Sequence, residues 1–544
     1  MKRIIISAVS LLAAVALGAQ NLDPTVVVTN TYIQQAGAVE KPSQLMEMPD
    51  SITRFNLDFD YSALSMPYRG AYEFKPYLVE LRPTNRISSE GRFYLSGGAG
   101  YSFHPELTAV WTPVQKDYFK LNLYGDFKSY MGHYRNIAPV GDWLVSDGSL
   151  WSGARIRGVA GVNGLFTWSG GRLEADLGYR NVSAADCYVN KASFNALEFK
   201  IRVESNPDAS LYYLVKNSET VLWAPSGQEI HSLTDAGIGT HFGAHYVKLG
   251  VVADIVSVTS DYAGNISFVP RYIFNLGDFS LDLGARVSFM FRSAETFFAA
   301  ANAPKGYKFP LFPDARVTYS VIPDALVLYA RAKGGYVMNY YGALIEDNPF
   351  ISSFAGGLDV SIERINAGLG ARGNIKSHFY YDLKLGYALR GNSLLWGLQP
   401  DGVTPAFGYA PSYSMFYTDL SLGWKGDYVD ADGCLLFQKT NMKQERLFAP
   451  AALQASASAV YKWGGRIRAG VCVEGRTESV ALMGEGAVRG IPGYVDLGLM
   501  GDLQMTQTLG FWIKAGNLLN QTIQRVPFHA EKGIYFTVGA RLNL

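Results

Sequence analysis

The chain has 544 residues, with 48 Lys and Arg against 47 Asp and Glu, and only 17% of its residues are charged. A net charge of +1 argues against a nucleic-acid partner. Cys187, Cys434 and Cys472 are odd in number and far apart, so they supply neither a disulfide framework nor a metal motif.

Lys2 and Arg3 precede an apolar run from Ile4 to Leu17, followed by Gly18, Ala19 and Gln20. This is the pattern of a secretory signal peptide over residues 1–19, and the run is shorter than the ~20 residues a spanning helix needs. Residues 20–90 form a separate N-terminal segment. It opens with Asp23, Pro24, Thr25, Val26, Val27, Val28 and Thr29, and Pro and Gly interrupt any strand ladder at Arg69-Gly70 and Arg82-Pro83.

From residue 91 to 544 the dominant signal is alternation with a period of two. Phe119, Leu121, Leu123 and Phe127 oppose Lys120, Asn122, Asp126 and Lys128. Leu197, Phe199, Ile201 and Val203 oppose Glu198, Lys200, Arg202 and Glu204. The closing stretch places Ile534, Phe536, Val538, Ala540, Leu542 and Leu544 on one side and Tyr535, Thr537, Gly539, Arg541 and Asn543 on the other. One greasy face and one polar face, repeated through a chain with 57 Gly and 34 Tyr, predict lipid outside and a wet lumen inside. The fold class is therefore all-β: one closed antiparallel transmembrane barrel of about 22 strands over residues 91–544. Single strands are expected near 154–168, 210–217, 238–247 and 251–258. Short turns fall at Ser169-Gly170, Pro323-Asp324, Gly464-Gly465 and Thr506-Gln507. Long connections are expected near 131–153, 218–237, 293–310, 338–361, 392–412, 478–491 and 517–531. Short periplasmic turns alternating with long outer loops, and an even strand count, put both termini in the periplasm.

The expected lumen face carries both signs: Lys120, Asp126, Lys128, Arg172, Glu174, Asp176, Arg180, Glu198, Lys200, Arg202, Glu204, Asp282 and Arg286. These residues either hydrate a passage and grip a polar ligand, or pair across strands and line a wet interior. Their balance implies weak ion selectivity at most. Trp143, Trp151, Trp223, Tyr340, Tyr341 and Trp396 fall in the expected outer loops, as ligand contacts at the mouth or as loop packing and interface girdle. His241 and His245 would share one strand face, but two His without a third ligand do not make a metal site. Asp430-Ala431-Asp432-Gly433 fails as a calcium loop, because the twelfth position is Lys439, and it reads as a polar hairpin turn. No catalytic motif is present and no cofactor is implied.

Two stretches resemble the TonB-dependent receptors. Phe511 to Gln521, containing Asn517-Leu518-Leu519-Asn520, followed by the strand to Leu544, is similar to that family's penultimate strand, its turn-off and its closing strand. Asp23 to Thr29 resembles the TonB box, an extended segment that pairs with TonB by strand addition. The resemblance implies an outer-membrane barrel that transports a ligand, surrounded by outer-membrane lipid and coupled to TonB or another periplasmic energy-coupling protein. The family carries a larger folded plug than residues 20–90 provide, so a reduced plug is expected. The alternatives are a structural subunit whose lumen is closed by a surface lipoprotein or another partner chain, and a passive porin.

Overall fold

The computed structural model describes residues 92–544 apart from 102, 186–191, 207–208, 260, 294–309, 352–357, 377, 399–404, 411, 442–450 and 483–487. The expected signal peptide, the segment 20–90 with Asp23 to Thr29, and Cys187 lie outside the described residues.

Twenty-two strands close on themselves. They are β1 Phe93–Tyr101, β2 Glu106–Gln115, β3 Phe119–Val140, β4 Trp143–Trp168, β5 Gly171–Ala185, β6 Ala192–Ser205, β7 Leu211–Ala224, β8 Gly227–Phe242, β9 His245–Val258, β10 Asp261–Leu276 and β11 Phe279–Arg292. The circle continues with β12 Leu311–Ile322, β13 Leu326–Val337, β14 Ser361–Ile375, β15 Phe379–Gly391, β16 Tyr413–Lys425, β17 Val429–Asn441, β18 Leu453–Trp463, β19 Ile467–Arg476, β20 Tyr494–Gln504, β21 Leu509–Gly516 and β22 Tyr535–Asn543. Each pairs antiparallel with the next. The circle shuts where β1 meets β22, from Tyr94 opposite Asn543 to Tyr101 opposite Phe536. Closure leaves no unpaired edge, which is what an all-β chain needs in lipid.

Alternation sorts the residues as expected. On β22, Phe536 and Val538 are about half exposed on the outer face, whereas Thr537 and Arg541 are buried on the inner one. The outer face is apolar for most of its height. Aromatics stand near both rims: Tyr118, Trp424, Tyr428 and Trp463 beside the short turns, and Tyr101, Tyr262 and Trp223 at the opposite end. That is the girdle arrangement of a membrane barrel.

The Gly and Tyr content has a packing cause. The Tyr417 ring of β16 lies flat over Gly386 of β15, where an added Cβ would meet it at 2.1 Å. Tyr329 lies over Gly370 in the same way, and Trp512 lies over both Gly98 and Gly539. An inner wall of tyrosines fits only if the neighbouring strand lacks a side chain at that point. Gly386→Val is therefore expected to displace Tyr417 and break its 2.7 Å hydroxyl bond to Asn366 Oδ1. Overpacking of this kind costs about 1–3 kcal/mol, readable as a lowered urea midpoint.

Several boundaries differ from expectation. The stretches 131–153 and 218–237 are not loops but continuations of strands: β3 and β4 run out to a turn at Gly141-Asp142, and β7 and β8 to one at Pro225-Ser226. The expected strand 238–247 is cut by a turn at Gly243-Ala244, where Gly243 has a φ of +63°. His241 and His245 therefore sit on different strands, on either side of that turn. Asp430 to Gly433 lies within β17 rather than in a turn, with Asp430 held by Lys462 at 3.0 Å. A lumen-facing strand is itself polar, so its local polarity resembles that of a turn.

Candidate functional site

The connection between β13 and β14 folds inward. Among its described residues is one helix, α1 (Tyr341–Asp347), which carries Tyr341, Leu344 and Ile345 at i, i+3 and i+4, and all three are buried. They pack on Val182, Phe194, Leu222 and Val256, inner-face residues of β5, β6, β7 and β9. A seven-residue helix is not stable alone, so this contact holds it. The Glu229 carboxylate of β8 accepts the backbone N–H of Tyr341 and of Gly342, at 2.5 and 2.8 Å, and so satisfies donors that a helix start leaves open. Glu346 pairs with Arg180 of β5 and lies 3.5 Å from Arg157 of β4. His231 stacks on Tyr340 at 3.9 Å and meets Asp254 at 2.8 Å. At the stem, Asn339 donates to the Asp359 carbonyl at 2.5 Å and to Ser361 at 2.9 Å, tying the two ends of the loop together. The loop springs from β13 and β14 yet reaches β4, β5 and β8. It therefore crosses the lumen at the long-loop end.

A second connection, between β21 and β22, meets it there. Phe350 and His529 stack face to face, with ring centres 3.8 Å apart and planes 2° apart. Arg155 grips Glu531 at 3.1 Å, and Gln524 donates to the Leu144 carbonyl at 2.8 Å. Phe528 and Ala530 pack against Ile137 and Leu144 from the β3–β4 hairpin and against Ala481 and Ile491. Arg155, Glu346, Phe350, Arg525, His529 and Glu531 line the seam between the two loops, and the space there is only about 20 Å³. That is roughly room for one water.

Glu531 lies outside the membrane-spanning strands. Burial pushes its carboxyl upward, but Arg155, Arg525 and Lys532 outweigh that and hold it below its ordinary 4.5. A depressed carboxylate stabilises its docked state above the undocked pKa and loses that contribution as pH falls through the docked value. As pH falls through that lowered value, the 517–534 connection should become protease-sensitive. Glu531→Gln should show that sensitivity at neutral pH and little further change on acidification.

All thirteen lumen residues named from the sequence share the inward register. Lys120, Asp126 and Lys128 lie on β3; Arg172, Glu174, Asp176 and Arg180 on β5; Glu198, Lys200, Arg202 and Glu204 on β6; and Asp282 and Arg286 on β11. Many of them meet. Arg180 donates to Glu198 at 2.7 Å, Lys200 lies 3.1 Å from Glu198, and Arg172 and Arg202 both pair with Glu204. Tyr124 donates to Asp176 at 3.0 Å, and Arg271 holds Asp282 at 2.7 Å. The six aromatics scatter. Trp143 and Trp151 belong to β4, where Trp151 stacks on Tyr134 at 4.9 Å. Trp223 belongs to β7 and shares the outward face with Tyr179, its ring neighbour at 6.3 Å. Tyr341 is fully buried and Tyr340 packs beside it, while Trp396 lies on the short strand Ser393–Leu398.

Glu229, His231, Glu346, His529 and Glu531 were not singled out from the sequence. Most of them act through partners 100 or more positions away, and no local spacing reports that. The all-β expectation places no helix in this connection; the apolar stripe of Tyr341, Leu344 and Ile345 at i, i+3 and i+4 is the local signal that marks one.

No protein-family model and no curated protein sequence matches the chain. Solved structures do match in fold. A mutant form of the ferric enterobactin receptor PfeA of Pseudomonas aeruginosa aligns with a TM-score of 0.60 at 10% identity, over 84% of this chain and 80% of that one. FpvA of P. aeruginosa, bound to heterologous pyoverdines, gives 0.62 at 12% identity over 84% and 72%. The FrpB iron transporter of Neisseria meningitidis gives 0.61 at 11% identity over 84% and 82%. The chain shares the 22-strand barrel fold of these receptor structures. Such a barrel is an outer-membrane wall, and the apolar outer face and aromatic girdles agree with that location.

Proposed function

We propose that this protein carries a ligand across the outer membrane. The barrel wall is fixed, the 338–360 and 517–534 connections gate the outer end, and residues 20–90 act as a reduced plug from the periplasmic side. The observation that carries the reading is the closed 22-strand wall with α1 held across its lumen. A pure scaffold needs no such loop. The neighbours are described as receptors or transporters for ferric enterobactin, pyoverdine–iron or iron, so iron chelates are the first ligands to try. Asp23 to Thr29 would engage TonB or an equivalent coupler by strand addition. Cells expressing the protein should accumulate at least one radiolabelled chelate, and deletion of Asp23–Thr29 should abolish that uptake. Uptake indifferent to the deletion would remove energy coupling, and no uptake across the panel would remove the chelate reading.

One feature favours the structural-subunit reading. On the outward face of β7, four residues below Trp223, Glu219 sits in the apolar band with its Oε1 making no hydrogen bond among the described residues. Asn217 and Thr234 bond to each other beside it at 3.0 Å. A carboxylate facing lipid is costly unless a partner covers it. A chain that co-purifies with the wild type and is lost with Glu219→Leu would support that reading, whereas no such chain would leave transport alone.

A further inference from the structure

Along the inner wall of β12 to β15, positive charge accumulates. Arg316 and Arg331 stand directly opposite each other in register, and Lys333 follows two residues along the same face. Arg372 and Lys384 continue the wall on β14 and β15. The guanidinium carbons of Arg316 and Arg372 lie 5.9 and 5.7 Å from the centre of the Tyr329 ring, and Lys384 Nζ lies 4.7 Å from that of Tyr417. Both rings lie flat over glycines, so the surface is a shelf rather than a thicket.

Like charges in direct register repel. The carboxylates facing the same wall are Asp314, Glu363, Asp382 and Asp419; Glu363 is held by Arg390 at 3.0 Å, which leaves three against the five cations named above. Asp314 is held by Arg271 at 2.5 Å and reached by Arg286 at 3.9 Å, and Asp382 accepts the Tyr329 hydroxyl at 2.7 Å. Arg331 is exposed to the lumen and makes no hydrogen bond or ion pair with any described residue. The charge balance of the whole chain thus hides a local excess.

We infer that this shelf is a binding station for a compact polyanion bearing two or more phosphate or carboxylate groups. Directly opposed residues lie about 5 Å apart, and guanidinium forks match oxyanions bidentately, so Arg316 and Arg331 fit adjacent anionic groups of one molecule. The tyrosines give the arginines fixed flat seats. The station lies below α1, so a ligand entering past the outer loops meets it next. It depends on the wall alone and not on uptake.

Isothermal titration of the full chain in detergent at low salt, with pyrophosphate as probe, tests this. The wild type should bind one equivalent. Arg331→Gln should weaken binding about tenfold, the loss expected for a charge-assisted contact, and Arg316→Gln with Arg331→Gln should abolish it. Arg331→Lys should fall between, and Lys120→Gln on the far wall should bind as wild type. Unchanged urea midpoints establish that the variants are folded. No binding by the wild type, undiminished binding by the double variant, or equal weakening by Lys120→Gln would each overturn the inference. Loss of uptake with binding intact would count against the transport reading and leave the shelf in place.

Discussion

Asp502→Ala should lower the stability of the barrel by about 3–5 kcal/mol, the largest single-site loss expected in this protein. Asp502 of β20 and Arg541 of β22 are each 4% exposed. Arg541 Nη2 donates to Asp502 Oδ1 at 2.6 Å, its Nη1 donates to the other carboxylate oxygen, and Nη2 also reaches Gln504 at 2.7 Å. The guanidinium reaches across β21 because Gly510 offers no side chain there, and a Cβ at that point would meet Arg541 Nε at 2.8 Å. Arg468 approaches the same carboxylate at 3.6 Å. Removing Asp502 leaves the buried Arg541 and the partly buried Arg468 without their shared anion beside the β22–β1 seam. Asp502→Asn keeps acceptor atoms and should cost less, while the Asp502→Ala, Arg541→Ala double variant should recover part of the loss. Urea unfolding in lipid vesicles, followed by tryptophan fluorescence, measures it. A loss under about 1 kcal/mol would mean the pair is solvated like a surface bridge.

Replacing residues 340–351 by a Gly-Ser linker should raise single-channel conductance severalfold. The replacement removes the apolar face of α1, the Glu346 contacts with Arg180 and Arg157, and the Phe350 stack on His529, which together hold the loop across the lumen. A 22-strand wall without an inner obstruction is wide enough for an aqueous channel. The full chain and a chain lacking residues 20–90 should be compared in planar bilayers. A rise only in the shortened chain assigns the remaining block to residues 20–90. No rise in either would mean that the loop does not narrow the passage.

The wall was readable because its signal repeats. A period of two over strands such as Phe119–Val140 and Ala192–Ser205 names the face of each residue without reference to distant partners, and the lumen charges follow directly. Strand ends above the membrane were less legible. There the chain is wet on both sides, so Trp143 to Ser152 alternates weakly and looks like loop. Turns were found where glycine or proline marks them, as at Gly464-Gly465 with φ of 57° and 69°, and were missed at Gly243 because neighbouring aromatics carried the pattern through. The gating contacts were least legible. Glu229 reaches Tyr341 and Arg155 reaches Glu531 only once the barrel has closed.

Single-cysteine labelling along Ala192–Ser205, in a background without the three native cysteines, tests the two-sided wall most directly. In intact membranes, a water-soluble maleimide should modify positions 200 and 202 and spare 199 and 201, while a lipid-soluble quencher should reach probes only at 199 and 201. Equal labelling at all four positions, or the reverse pattern, would contradict a closed barrel with lipid on that face.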